Sequence, residues 1–227
     1  SLANEIQYNL SDSLFSNKKQ YDFKKSKFQK KKNKIDIIIA TGYHLFLATS
    51  LKDKFDLKIF LNPSSSINEK WAAENKSFFN IKDSEISAID ADFDIEKIYS
   101  QQKNDADIVF SLSPINESFF LKEKDNNKMK LEIYFSDGIY AESLAKALIS
   151  ICGLKVDTQL EDNSLSTIMS IEGEIWPGDI ALTANYLVPH LDELLDSEPK
   201  WESDLYGIMQ IVVLMQIDHK LRLLLSK

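Results

Sequence analysis

Three short, continuous apolar runs, each trailed by residues of helical character, constrain this chain more than any other feature. They are Ile35–Thr41 (IDIIIAT), Asp56–Asn62 (DLKIFLN) and Ala106–Leu112 (ADIVFSL). Runs of this length without alternation suit strands buried on both faces of a parallel sheet. Gly42 breaks the first run, and Tyr43–Lys52 reads as a helix. Pro63 and three serines stop the second; Ser66 can cap a helix running through Trp71 to about Phe79. Asp83-Ser84-Glu85-Ile86 is a second capping signal, Asp94–Lys103 a third helical stretch, and Pro114 ends the third run. Alternating strand and helix predicts an α/β fold, a mainly parallel sheet flanked by helices.

The texture changes after a charged linker, KEKDNNKMK, so the expected division is an α/β core portion over 1–120 and a C-terminal α+β extension over 121–227. Met129–Phe135 alternates as a half-exposed strand. Asp137-Gly138 turns into a helix, Ile139–Cys152, that Gly153 can cap. Leu165–Ile175 is a further alternating strand, followed by helices from Gly178 to about Leu195 and from Ser203 to Leu225. The last is apolar almost all round and must be buried against the sheet or a partner. Near the other end, Asn4–Phe15 reads as a short amphipathic helix.

Composition narrows the class. With 227 residues, 44% hydrophobic and 27% charged, the chain holds enough apolar residues for one substantial core or two small ones. A net charge of −8 argues for a cytoplasmic protein and against wholesale nucleic-acid binding. Cys152 is the sole cysteine, which suits a reducing compartment and reads as a packed core thiol. No apolar stretch is long enough to predict a membrane span, and the first residues lack the pattern of a secretory signal. Arg222 is the only arginine, so bidentate clamping of phosphate is almost closed to this chain. Lys18–Lys34 packs nine lysines with Tyr21, Phe23 and Phe28 between them; it reads as a solvated hairpin or loop, with a polyanion site as the sharper alternative.

Several segments, in order, resemble the phosphoribulokinase/uridine kinase family. Tyr21-Asp22-Phe23 precedes the first apolar run, as the Y-D-F element does in uridine kinases. Thr41-Gly42-Tyr43-His44 is similar to the E-G-L-H segment of phosphoribulokinases. Asp56–Asn62 and the helix containing Trp71 look like the next strand and lid helix, and Gln102–Val109 resembles the Q-K-x-Y-A-D-V-V segment. Ile171–Ile175 (IEGEI) and the helix after it are similar to the C-terminal acidic strand–helix pair of phosphoribulokinases. The resemblance implies a kinase-like core using ATP and magnesium, with Tyr21, Asp22, Phe23, Tyr43 and His44 at the substrate pocket. Lys24, Lys25, Lys70 and Lys76 are then the candidate phosphate contacts.

The departures bear on chemistry. Catalysis in such kinases is positioning plus electrostatic stabilisation of a migrating phosphoryl group. These 227 residues contain no G-x-x-x-x-G-K-S/T, and the six glycines do not cluster. Thr41 stands where the family has a glutamate near the magnesium, and Asn75-Lys76 stand where the lid helix has an Arg-Asp pair. Catalytic residues and a metal set are therefore expected to be absent from this stretch, with ATP and magnesium implied by the resemblance alone.

Other constellations read as structure. His44 and His219 have no ligand partner at i+3 or i+4, and the carboxylates that follow His190, Asp192 and Glu193, read as solvated. Asp90, Asp92 and Asp94 lack the glycine and distal glutamate of a calcium loop. Ser64-Ser65-Ser66 reads as a turn, and Trp71, Trp176 and Trp201 as core or interface packing. Three readings follow: a non-catalytic relative binding a sugar phosphate, a nucleoside or a protein; part of an active kinase completed by an upstream phosphate-loop segment; and a structural module that forms homo-oligomers.

Overall fold

The computed structural model describes residues 19–22, 27–30, 37–42, 45, 52–68, 95–115, 128–160, 166–189, 191, 195 and 199–225. Contacts divide the chain into two units, one of Ser1–Asp56 with Asp94–Asp105 and one of Leu57–Phe93 with Ala106–Lys227. The expected helices at Asn4–Phe15 and after Ser66, the Asp83 capping signal, and Asp90, Asp92 and His190 lie outside the described residues, apart from the helical turn at 65–68.

In the first unit, the lysine-rich strip is a hairpin. β1 (Lys19–Asp22) pairs antiparallel with β2 (Lys27–Lys30), placing Tyr21 opposite Phe28 and Asp22 opposite Lys27. α1 (Ile95–Asp105) covers the described part of the helical stretch expected at Asp94–Lys103. Asp105 pairs with the Lys52 ammonium through one oxygen; the other, Oδ2, is buried with no hydrogen-bond partner among the described residues. One expectation fails here. Residues 37–42 carry neither strand nor helix, and Ile37, Ile38 and Ile39 are 49%, 36% and 68% exposed. An apolar run becomes a buried strand only where another strand satisfies its backbone, and this one has none among the described residues.

The second unit is built on a five-stranded sheet. Its strands are β3 (Ile59–Pro63), β4 (Ile108–Pro114), β5 (Met129–Phe135), β6 (Lys155–Leu160) and β7 (Thr167–Glu172), in the order β3-β4-β5-β7-β6. Only β3 and β4 run parallel; the other three pairings are antiparallel. The sheet is therefore mixed, which corrects the mainly parallel expectation. The cause lies in the linker: Ile115 N–H donates to Lys128 C=O at 3.0 Å, closing a wide hairpin where a parallel partner would need a crossover. β4 and β5 consequently pair along their whole length across the charged linker.

β3 is an edge strand among the described residues. Lys58 C=O accepts from Ile108 N–H, and Ser64 N–H donates to Leu112 C=O. Even-numbered positions thus face β4, leaving Ile59, Leu61 and Pro63 outward. Pro63 has no N–H to leave unpaired, as suits an edge.

Three helices cover one face of the sheet: α2 (Ala141–Ser150), α3 (Pro177–Leu187) and α4 (Asp204–Leu225). Alternation in β5 and β7 sends Leu131, Ile133, Met169 and Ile171 into this layer, where they meet Leu144, Leu148, Ile180 and Ile208, all at most 1% exposed. Each such side chain contributes about 1.5–3 kcal/mol by leaving water. α2 ends at Gly153, whose φ of +66° lets its N–H reach Ile149 C=O at 3.2 Å. α3 stops at Val188, the residue before Pro189, where helical backbone is disfavoured. α4 starts from Asp204, a non-glycine residue at φ 55° held by a reciprocal pair: its N–H donates to Ile175 C=O at 2.9 Å, and its Oδ1 accepts from Ile175 N–H at 3.0 Å. The expectation for the final helix holds in part. Ile208, Ile211, Val212 and Met215 are buried, whereas Met209, Val213 and Leu214 are half-buried.

Candidate functional site

The site expected from the sequence falls almost wholly outside the described residues. Tyr21 and Asp22 fall in β1, where the backbone alone is described. Phe23, Lys24, Lys25, Tyr43, His44, Lys70 and Lys76 lie outside the described residues, as do Trp71, Asn75 and the other lid-helix residues. Thr41 is described and exposed. A neutral hydroxyl there brings magnesium no carboxylate, so this position does not fit the metal that the resemblance implies.

A different constellation is well built. Strand register carries one polar row across all five strands of the sheet, on the face turned away from α2, α3 and α4. Asn62 stands opposite Ser111, Ser111 opposite Glu132, Glu132 opposite Ser170, and Ser170 opposite Asp157. The next row on that face is Ser113, Lys130, Glu172 and Lys155. Asn62 Nδ2 donates to Ser111 Oγ at 3.1 Å; Lys130 reaches Glu132 at 3.3 Å and Lys155 reaches Glu172 at 3.1 Å. Toward the other end the face turns apolar, with Phe60, Val109, Tyr134 and Ile168 in register.

A cavity of about 270 Å³ opens on this face, lined by Lys130, Glu132, Asp157, Gln159, Ile168 and Ser170. Glu132, Ser170 and Lys130 are half-buried, and Asp157 is exposed with no ion pair among the described residues. Two carboxylates against one ammonium leave the cavity rich in acceptors. Such a lining takes hydroxyl donors well and a phosphate dianion poorly. Ile168 supplies an apolar floor.

Much of this row was missed because β6 was missed. Its sequence KVDTQL does carry the signal, with Lys155, Asp157 and Gln159 alternating against Val156, Thr158 and Leu160. It lacks the large apolar residues that draw attention in β5 and β7, because an edge strand buries little.

The remaining chemistry-bearing groups are structural. Asp107, the aspartate of the Q-K-x-Y-A-D-like segment, accepts from Lys58 N–H at 2.7 Å and pairs with the ammonium groups of Lys58 and Lys220 at 3.5 and 3.8 Å. It ties β3, β4 and the end of α4 together. His219 Nδ1 meets the Tyr140 hydroxyl at 3.0 Å with the rings edge-on, joining α4 to the start of α2. Cys152 is half-buried, and its sulfur lies 3.1 Å from Thr183 Oγ1; burial pushes its thiol up, so it is a poor nucleophile. Trp176 is 77% exposed, whereas Trp201 packs on the core. Among the described residues no group of three His, Cys, Asp or Glu is placed to hold a metal, and no helix is long and apolar enough to cross a membrane.

The core face has an opening of its own. An apolar groove of about 540 Å³ runs between β3 and α4, lined by Ile59, Leu61, Phe110, Trp201, Met209 and Val213. Leu61 is 60% exposed there.

Neither the protein-family models nor the curated proteins compared with the chain match it.

Proposed function

We propose that this chain is a non-catalytic binding protein whose polar sheet face takes the hydroxyl-bearing side of a pentose, free or within a nucleoside. The observation that carries this reading is the acceptor-rich cavity on the Asn62–Ser111–Glu132–Ser170–Asp157 row. Sugar hydroxyls donate to carboxylates, and Glu132 and Asp157 stand on either side of Ser170, each one strand spacing of about 5 Å from it. Lys130 orients Glu132, and Ile168 backs the ring. The kinase resemblance of the flanking segments supports a sugar or nucleoside over other polyols. The sequence lacks the phosphate loop on which phosphoryl transfer in the resembling kinases depends, which supports binding without that chemistry in these 227 residues.

The expected result of titrating ribose and nucleosides into 15N-labelled protein is a set of saturable amide shifts on β5, β6 and β7. Phosphorylated counterparts should bind more weakly, because the carboxylates outnumber the ammonium groups. Glu132→Ala should weaken binding about tenfold or more, the effect of losing a charged hydrogen-bond acceptor. Shifts confined to the helical layer, or none with any pentose or nucleoside, would sink the reading.

A second reading draws on the outer edge of β3, unpaired among the described residues, and the apolar groove beside it. A strand supplied by a further segment would pair with Ile59 and Leu61 and place its apolar side chains in the groove. In that reading the chain is part of a kinase completed by a phosphate-loop segment.

A further inference from the structure

We propose that the lysine-rich hairpin of the first unit binds single-stranded nucleic acid on the face that carries Lys19, Tyr21, Phe28 and Lys30. Lys18–Lys34 holds nine lysines and one acid, a charge of +8 in a chain whose total is −8, so the other residues carry −16. A negative total disfavours nucleic acid over the surface as a whole. Gathering the positive charge into one short strip creates a local exception. Composition alone leaves that strip a solvated loop; the register of β1 with β2 adds what composition lacks.

Directly opposed residues of an antiparallel pair share a face, and neighbours along a strand alternate between faces. Lys19 opposite Lys30 and Tyr21 opposite Phe28 therefore stand on one face. Gln20 opposite Gln29 and Asp22 opposite Lys27 stand on the other. The only acid of the strip is thus sorted onto the second face, across from a lysine that balances it. Among the described residues the first face holds two lysines, two aromatic residues and no carboxylate. Like charges directly opposite each other disfavour strand pairing, yet Lys19 and Lys30 keep that arrangement. A phosphate shared between them relieves it. The aromatic pair lies one step of about 7 Å along the strands, a distance that a nucleotide spans between its phosphate and its base. Binders of single strands combine these two elements: lysines that track the backbone and aromatic residues on which bases of any sequence stack. A duplex hides its base faces and an anionic lipid surface has none, so the combination favours an unpaired strand. Lys24 and Lys25, between the strands, and Lys31 and Lys32, after β2, add charge along the same stretch of sequence.

Fluorescence anisotropy of labelled oligouridylate with the full chain tests the proposal, with heparin, a polyanion without bases, and phosphatidylserine vesicles as the alternatives. Saturable binding at low salt is expected, with log K falling against log salt at a slope of about −2 or steeper, as three or more neutralised phosphates require. Tyr21→Leu with Phe28→Leu keeps an apolar cross-strand pair and removes the stacking surface. It should weaken oligouridylate binding about tenfold or more and leave heparin binding unchanged. Lys19→Gln with Lys30→Gln relieves the opposed charges, so it should keep the hairpin, weaken both ligands and flatten the slope by about 1.4. A chain that binds no oligouridylate, a leucine variant that loses both ligands equally or neither, or vesicles bound more tightly than oligouridylate would each overturn the proposal. It does not rest on the sugar reading: saturating ribose should leave oligouridylate bound, and displacement by ribose would overturn the assignment to the hairpin.

Discussion

Gly207→Ala is expected to destabilise the second unit by about 3 kcal/mol or more, at the upper end of what overpacking costs. A Cβ at this position would sit 2.4 Å from Glu202 C=O and 2.7 Å from Ile180 Cγ1. Neither neighbour is the free end of a flexible chain. The carbonyl belongs to the backbone that leads into α4, and Ile180 is wholly buried on α3. The two helices therefore approach over a glycine, and one methyl group forces them apart along their shared contact with the sheet. Glycine in a helix interior is itself less favourable than alanine by about 1 kcal/mol, so in the absence of the clash the substitution would stabilise. Urea denaturation followed by tryptophan fluorescence reads the sign directly. A midpoint raised by the substitution would mean that α3 and α4 do not meet at Gly207.

Phe110→Ala should cost about 3–5 kcal/mol, the range for emptying a buried aromatic site. Phe110 is 1% exposed, in the middle of β4, and pairs with Leu61 on one side and Ile133 on the other. Its ring is one wall of the groove beside α4, so truncation joins the groove to the core and the surrounding residues have little to collapse onto. Phe110→Leu fills most of the volume and should cost less than half as much. Equal losses for the two variants would show that β4 does not carry the core at this point. Calorimetric unfolding of both distinguishes these outcomes, and a small apolar solute such as benzene should recover part of the stability of the alanine variant.

The C-terminal half was the more legible part of the chain. Met129–Phe135 reads as a half-exposed strand because Leu131, Ile133 and Phe135 alternate with Lys130, Glu132 and Tyr134, and it forms β5 at those bounds. The helix expected at Ile139–Cys152 forms as α2, trimmed at both ends, because Gly153 ends it by conformation and needs no tertiary partner. The runs at Asp56–Asn62 and Ala106–Leu112 became β3 and β4 with their starts shifted inward, and they are the one parallel pair among the described strands. Parallel pairing was over-extended because continuous apolar runs identify burial and carry no direction; the bond between Ile115 and Lys128 that reverses the chain is not written in hydropathy. The run at Ile35–Thr41 shows the same limit from the other side. Its composition demands burial, yet only a neighbouring strand can supply the backbone partners, and no local pattern names that neighbour.

The site was less legible than the fold. Its residues are ordinary Lys, Glu, Asp, Ser and Gln side chains, each unremarked in its own strand, and only cross-strand register puts them in one row. Periodicity assigns Glu132 and Ser170 to the solvent side of their strands but cannot align one strand with another. The candidates Tyr43 and His44 came instead from resemblance, and they lie outside the described residues.

Calorimetric titration of Mg-ATP into the 227-residue chain, in the presence of a saturating pentose or nucleoside, separates binding alone from phosphoryl transfer. No saturable heat and no ADP are expected. Saturable uptake of Mg-ATP, or release of ADP coupled to the second ligand, would contradict binding alone.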